Sequence, residues 1–262
     1  MIELNPKDPD AYGQLAYINS KMGDYDLAIE NCNKAIELGD DDEYSYGNRG
    51  NAYLIKGKYD FAIADFDKAI SKGPSSFSEN GKGELYYIRG EFDLAVKQFD
   101  KTLKIKKSSY PYLNKILICK ETNKEADIKE IAEAAEKYLK QEIEKNKEES
   151  SNYSFLAEIN CEAGIKLDES LQMAEKAVEL EANGNNYYAL GLCRYKKGDV
   201  KKAIECLKKA IKLKHMNTWF LYRLGCYYKE SGNKIKAKEI WMEGLKINPV
   251  HRLIKAELEK LK

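Results

Sequence analysis

The sequence predicts an all-α chain: an α-solenoid of about seven helical hairpins with a C-terminal capping helix. Three observations predict it. A short figure recurs as "GDYDLAIENCNKAIEL", "GKYDFAIADFDKAI", "GEFDLAVKQFDKTL", "GDVKKAIECLKKAIKL" and "GNKIKAKEIWMEGLKI". Its aligned alanines are Ala28, Ala62, Ala95, Ala203 and Ala237, at spacings of 34, 33 and, later, 34 residues. Upstream of each alanine, large residues stand three apart beside a small one, which is helical spacing. Examples are Tyr12-x-x-Leu15-Ala16, Tyr46-x-x-Arg49-Gly50-x-x-Tyr53, Tyr187-x-x-Leu190-Gly191 and Leu221-x-x-Leu224-Gly225-x-x-Tyr228. Gly23, Gly57, Gly90, Gly198 and Gly232 then end the first helix of each unit in the left-handed conformation and turn the chain into the second.

The elements follow in order. "IELNP" at residues 2–6 is expected to be the tail of a repeat whose body lies upstream, because Pro6 stands in the same column as Pro74 and Pro249. Residues 1–108 hold that tail and three repeats. Residues 109–150 keep helical periodicity without the small-residue signature, and so form a degenerate hairpin with an overlong second helix. Residues 151–262 hold three further repeats. The first of these fits the pattern with one residue inserted in its turn, placing Ala157, Ser170, Ala174 and Ala177 in the small columns. Residues 250–262, "VHRLIKAELEKLK", form the cap, charged on its free side.

The second repeat carries Tyr46, Gly50, Tyr53, Ala62, Phe66, Ala69 and Pro74, and the last carries Leu224, Gly225, Tyr228, Ala237, Trp241, Gly244 and Pro249. These residues resemble the tetratricopeptide repeat, a pair of helices with small residues at fixed contacts. The resemblance implies a right-handed superhelix, with first helices lining a concave face and second helices forming most of the convex one. It also implies protein or peptide partners.

Helical geometry places the groove columns beside the packing columns. They hold Gly13 and Tyr17; Tyr44, Gly47 and Asn51; Phe77, Asn80, Glu84 and Tyr87; Asn185, Tyr188, Leu192 and Tyr195; and Trp219, Tyr222 and Cys226. The binding candidates are Tyr17, Tyr44, Asn51, Phe77, Asn80, Tyr87, Asn185, Tyr188, Tyr195, Trp219 and Tyr222. Aromatics give contact area at low entropic cost, and amides suit backbone recognition. The family's clamp for a chaperone's C-terminal carboxylate needs paired Lys and Asn with an Arg. Here Gly13, Tyr17, Phe77 and Gly81 occupy those columns; Asn48 matches, a register one repeat later adds Asn51 but not the basic pair, and in the C-terminal block only Arg223 matches, so that clamp is absent.

Catalysis and metal binding find no pattern. His215 and His251 lie near helix ends, away from any nucleophile, and His215 suits a C-terminal cap. Asp40-Asp41-Asp42-Glu43 precedes a helix, where carboxylates complement its dipole. Cys32, Cys119, Cys161, Cys193, Cys206 and Cys226 form no C-x-x-C pair, which argues against zinc and disulfides and for a reducing compartment. Lys201, Lys202, Lys208, Lys209 and Lys212 lie on a second helix without interleaved aromatics, so nucleic acid is not expected. No apolar run is long enough to cross a bilayer and no signal peptide is visible, which makes the cytoplasm the default.

The expected protein is therefore a non-enzymatic scaffold or adaptor, without cofactor, that captures a peptide or partner helix in its groove. Two alternatives stand beside it. The array is then either an accessory region of a larger enzyme or regulator, or a self-assembling scaffold with end-to-end or concave-face contacts between copies. The second draws on charge: residues 184–262 carry 19 basic and 7 acidic side chains, against 25 and 36 before them.

Overall fold

The computed structural model describes residues 7–213 and 217–261, so the 2–6 tail and His215 lie outside the described residues. Among the described residues there are fifteen helices and no strand. They are α1 (Pro9–Met22), α2 (Tyr25–Glu37), α3 (Glu43–Ile55), α4 (Tyr59–Lys72), α5 (Ser76–Arg89), α6 (Phe92–Ile105), α7 (Ser109–Glu121), α8 (Glu125–Lys145), α9 (Ser150–Ala163), α10 (Leu167–Leu180), α11 (Gly184–Lys196), α12 (Val200–Leu213), α13 (Thr218–Glu230), α14 (Lys234–Ile247) and α15 (Arg252–Glu259). Two compact units divide them: residues 1–107 with 247–250, and residues 108–246 with 251–262.

In the first unit α1–α2, α3–α4 and α5–α6 are antiparallel hairpins. Here α2 packs on α3 and α4 on α5, and α1, α3 and α5 lie side by side. Ala28, Ala62 and Ala95 are fully buried, as their column requires. The Phe66 ring is wedged between two first helices. A Cβ on Gly50 would stand 3.0 Å from it, and one on Gly81, in the following repeat, 2.5 Å. Phe99 approaches Gly83 in the same way, at 2.6 Å. Arg49 occupies the column where the first repeat has Leu15, and its half-buried guanidinium needs a counter-charge. Asp65 on α4 supplies it with two hydrogen bonds of 2.7 Å, and Asn33 on α2 accepts a third at 2.7 Å.

The acidic run between α2 and α3 works as a cap. Asp42 accepts from the backbone N–H groups of Tyr44 and Ser45, both at 2.9 Å, and Asp40 accepts from the Ser45 hydroxyl at 2.5 Å. These carboxylates satisfy orphan donors at the α3 N-terminus.

In the second unit α7 and α8 pack with α9 around Ile116, Ile128, Leu139, Leu156 and Ile159. The second helix of this hairpin is long, as expected, at 21 residues. Its turn uses Asn123 at φ 55° where the better repeats use glycine. In the next hairpin, α9–α10, the inserted residue shows as a second left-handed position, Lys166 at φ 48°, after Gly164 at 73°. Leu207 lies on Gly191, and Trp241 lies on Gly225 with its Nε1 donating to the Tyr222 carbonyl at 3.0 Å. The cap α15 repeats the contact: Ile254 is fully buried against Gly244. His251 caps α15, its Nδ1 accepting from the Ile254 N–H at 3.4 Å. Burial pushes its pKa down to about 4, which keeps the ring neutral and able to accept.

Gly225→Ala would place a Cβ 2.5 Å from Trp241 Cδ1 and Cε2. The ring is pinned, so a loss of about 2 kcal/mol is expected even though Ala is the better helix former. Gly73→Ala, in extended backbone, meets only the flexible end of Glu43 and should be nearly neutral. Thermal unfolding of the two variants checks this, and equal midpoints would contradict it.

Candidate functional site

Helical spacing puts one side chain per turn on the outward side of each first helix, and the two units use that side differently. In the first unit, Tyr17 on α1, Tyr44 on α3 and Phe77 on α5 are 52%, 71% and 51% exposed. Phe77 packs one side of its ring against α3, where a Cβ on Gly47 would stand 3.2 Å from it, and leaves the rest in solvent. The glycine at this groove column thus makes the seat for the next repeat's aromatic. Lys21 Nζ stands 5.1 Å from the Tyr17 ring centroid. Asn51 and Asn80 are partly exposed, and the Asn80 Oδ1 is buried without a hydrogen-bond partner. Tyr87 does not join this surface. It is buried, with Phe92 at 6.2 Å between ring centroids, because its column turns toward α6.

The second-unit aromatics are spent on each other. Tyr188 is buried, stacks on Phe220 at 5.0 Å, and accepts from Trp219 Nε1 at 2.8 Å. Tyr195 stacks on Tyr227 at 4.2 Å and donates its hydroxyl proton to Glu230; burial and that carboxylate push its pKa up to about 12. Trp219 lies 5.4 Å from Tyr222, which faces His251 at 6.1 Å. The Arg223 guanidinium covers Trp219 at 4.8 Å and Tyr222 at 5.9 Å. Asn185, Tyr195, Trp219 and Tyr222 keep partial exposure.

Beneath these rings lies a charge cluster that the groove columns did not predict. Glu162 on α9 is buried and accepts from Arg223 on α13 and from Lys120 on α7 at 2.5 Å. Lys120 also donates to the Glu162 backbone carbonyl at 3.2 Å. Burial opposes ionisation of Glu162, but Arg223 and Lys120 outweigh it and hold the carboxyl below its usual range. Lys196 on α11 lies near the same group, and burial together with the neighbouring cations pulls its pKa down despite Glu162. The sequence does contain a signal for part of this. Glu162, Lys196 and Glu230 stand one repeat apart, so charge of alternating sign fills one column. Lys120 comes from the degenerate hairpin, where no register led to it.

Lys201, Lys202, Lys208, Lys209 and Lys212 are exposed on α12, with Lys208 and Lys209 over Tyr228 and Tyr187. All six cysteines are free thiols. Among the described residues no cluster of three or more His, Cys, Asp or Glu is placed to hold a metal, and no helix is long and apolar enough to cross a membrane.

Glu162→Gln leaves the buried Arg223 without its carboxylate and takes the partner from half-exposed Lys120, so a loss of about 3 kcal/mol is expected by chemical denaturation. Glu175→Gln breaks a partly exposed pair with Arg194 and should cost less than about 1 kcal/mol. Equal losses would refute the central role of Glu162.

Comparison with known proteins agrees with this geometry. The tetratricopeptide repeat profile matches residues 9–42 and 44–76, and related profiles of the same repeat match 191–232 and 220–251. No curated protein sequence matches the chain significantly. Among solved structures, a chain of the APC/C Cut9–Hcn1 hetero-tetramer is similar with a TM-score of 0.58 and 16% identity, over 99% of this chain and 50% of that one. A tetratricopeptide repeat protein from Parabacteroides merdae gives 0.53 and 15%, over 94% and 97%. Yeast Tom70 gives 0.53 and 20%, over 99% and 55%. This chain spans about half the length of the Cut9–Hcn1 chain and of Tom70, and the likeness at these identities is one of fold. With the profile matches in both units and the hairpin geometry, the chain belongs to the tetratricopeptide repeat family, whose repeats generally mediate protein–protein interactions.

Proposed function

We propose that this protein is a non-enzymatic scaffold or adaptor that captures a peptide or partner helix on its first-helix face. The observation that carries the reading is the exposure of Tyr17, Tyr44 and Phe77 on three consecutive first helices. Single exposed apolar residues are ordinary, but an aromatic at successive repeats on one face offers spaced contacts to an extended or helical ligand. Asn51 stands among them with the amide group that backbone recognition uses, and Asn80 beside it has its Oδ1 turned inward. In the second unit Asn185, Tyr195, Trp219 and Tyr222 offer a contact surface that is already ordered by stacking, so binding there loses little side-chain entropy. Tyr87 and Tyr188, being buried, support the surface from behind rather than touch a ligand. Six free thiols suit action in the cytoplasm.

Selection from phage-displayed random peptides tests the reading without a known partner. Peptides enriched on the native protein should lose at least about tenfold in affinity on Tyr44→Ala with Phe77→Ala, with the unfolding midpoint unchanged. Unchanged affinity, or no enrichment on the native protein, would count against it.

A further inference from the structure

Cys161 on α9 and Cys193 on α11 are fully buried, and their sulfurs lie 3.1 Å apart. That is closer than ordinary contact between two sulfurs, and about 1 Å longer than a disulfide bond. The two helices are the first helices of successive repeats and pack directly on each other. Both sulfurs face an apolar nest of Ala157, Ala174, Ala189 and Leu192. We propose that Cys161 and Cys193 are an oxidative modification site, a dithiol that closes to an intramolecular disulfide with hydrogen peroxide.

Peroxide is the suitable oxidant class because it is small and neutral, so it enters on a local opening that would exclude a bulky disulfide. The contact between the two thiols favours a thiolate on Cys161 against the effect of burial, and the same contact with burial disfavours one on Cys193, which also donates to the Ser170 carbonyl at 3.5 Å. Cys161 is therefore the attacking thiolate. Its sulfur attacks one peroxide oxygen, the O–O bond breaks, and the departing hydroxide takes a proton to become water. The product is a Cys161 sulfenic acid. Cys193 sulfur then attacks Cys161 sulfur, the S–O bond breaks, and the hydroxyl leaves as the second water with the Cys193 proton. Two thiols are oxidised and one peroxide is reduced to two waters. The bond ties α9 to α11 one residue from Glu162, whose carboxylate joins α7 and α13. Oxidation thus fastens the segment on which the second-unit aromatics rest.

The test treats the whole protein with hydrogen peroxide under native conditions, alkylates it after denaturation, and maps unreduced peptides by mass spectrometry. The expected result is loss of both free thiols and a Cys161–Cys193 cross-linked peptide lighter by two hydrogens. A rise in the unfolding midpoint should accompany it, reversed by dithiothreitol and lost in Cys161→Ala and Cys193→Ala. The map on native protein stands even if a variant fails to fold. Both cysteines remaining alkylatable, sulfinic acid at Cys161 without a cross-link, or a cross-link to Cys206, Cys226 or a second copy would each overturn the proposal.

Discussion

Phe66 and Trp241 each lie where a β-carbon would otherwise stand, and the spacing of the neighbouring helices follows from that. A large buried ring needs a flat partner, and helical backbone without a side chain is the flattest surface a protein offers. Phe66 uses it twice, against Gly50 in its own repeat and Gly81 in the next, so one ring couples two hairpins. Ile254 on Gly244 extends the same contact to the cap. Each hairpin alone would leave its ring half exposed, which is why repeats of this kind are stable only in a stack.

Much of this was legible in the sequence because the contact is periodic. Glycine, alanine and a large residue at fixed offsets give both the helices and their pairing, and the inserted turn residue at Lys166 could be counted directly. The long α8 was legible as an unbroken amphipathic stretch. Exposure was less so. A helical wheel places Tyr87 and Tyr188 beside the groove, but a ring extends several ångströms from its Cα and can fold toward either neighbour. Tyr87 turns to Phe92, and Tyr188 to Phe220 and Trp219. Glu162 was missed because its partners Lys120 and Arg223 lie on other hairpins, and only folding brings three helices to one carboxylate.

The two units solve the same surface problem in opposite ways. In the first, glycine at positions 13 and 47 keeps the face shallow, and Tyr17, Tyr44 and Phe77 stand on it without closing over one another. In the second, larger residues fill the equivalent columns. Their rings stack, and Trp219 Nε1 donates to the Tyr188 hydroxyl while Tyr195 donates to Glu230 in place of water, although the Tyr227 hydroxyl is buried without a partner. The buried Arg223–Glu162–Lys120 arrangement is what that enclosure requires: a guanidinium under aromatic rings holds only with a carboxylate beside it. An open aromatic face can adapt to what it meets, whereas a closed one presents a fixed shape.

Hydroxyl-radical footprinting of the native protein, read by mass spectrometry, tests this contrast most directly. Tyr17, Tyr44 and Phe77 should be oxidised readily, while Tyr188 and Tyr227 remain protected until the protein unfolds. Protection of the first three, or equal labelling of all five, would contradict the account.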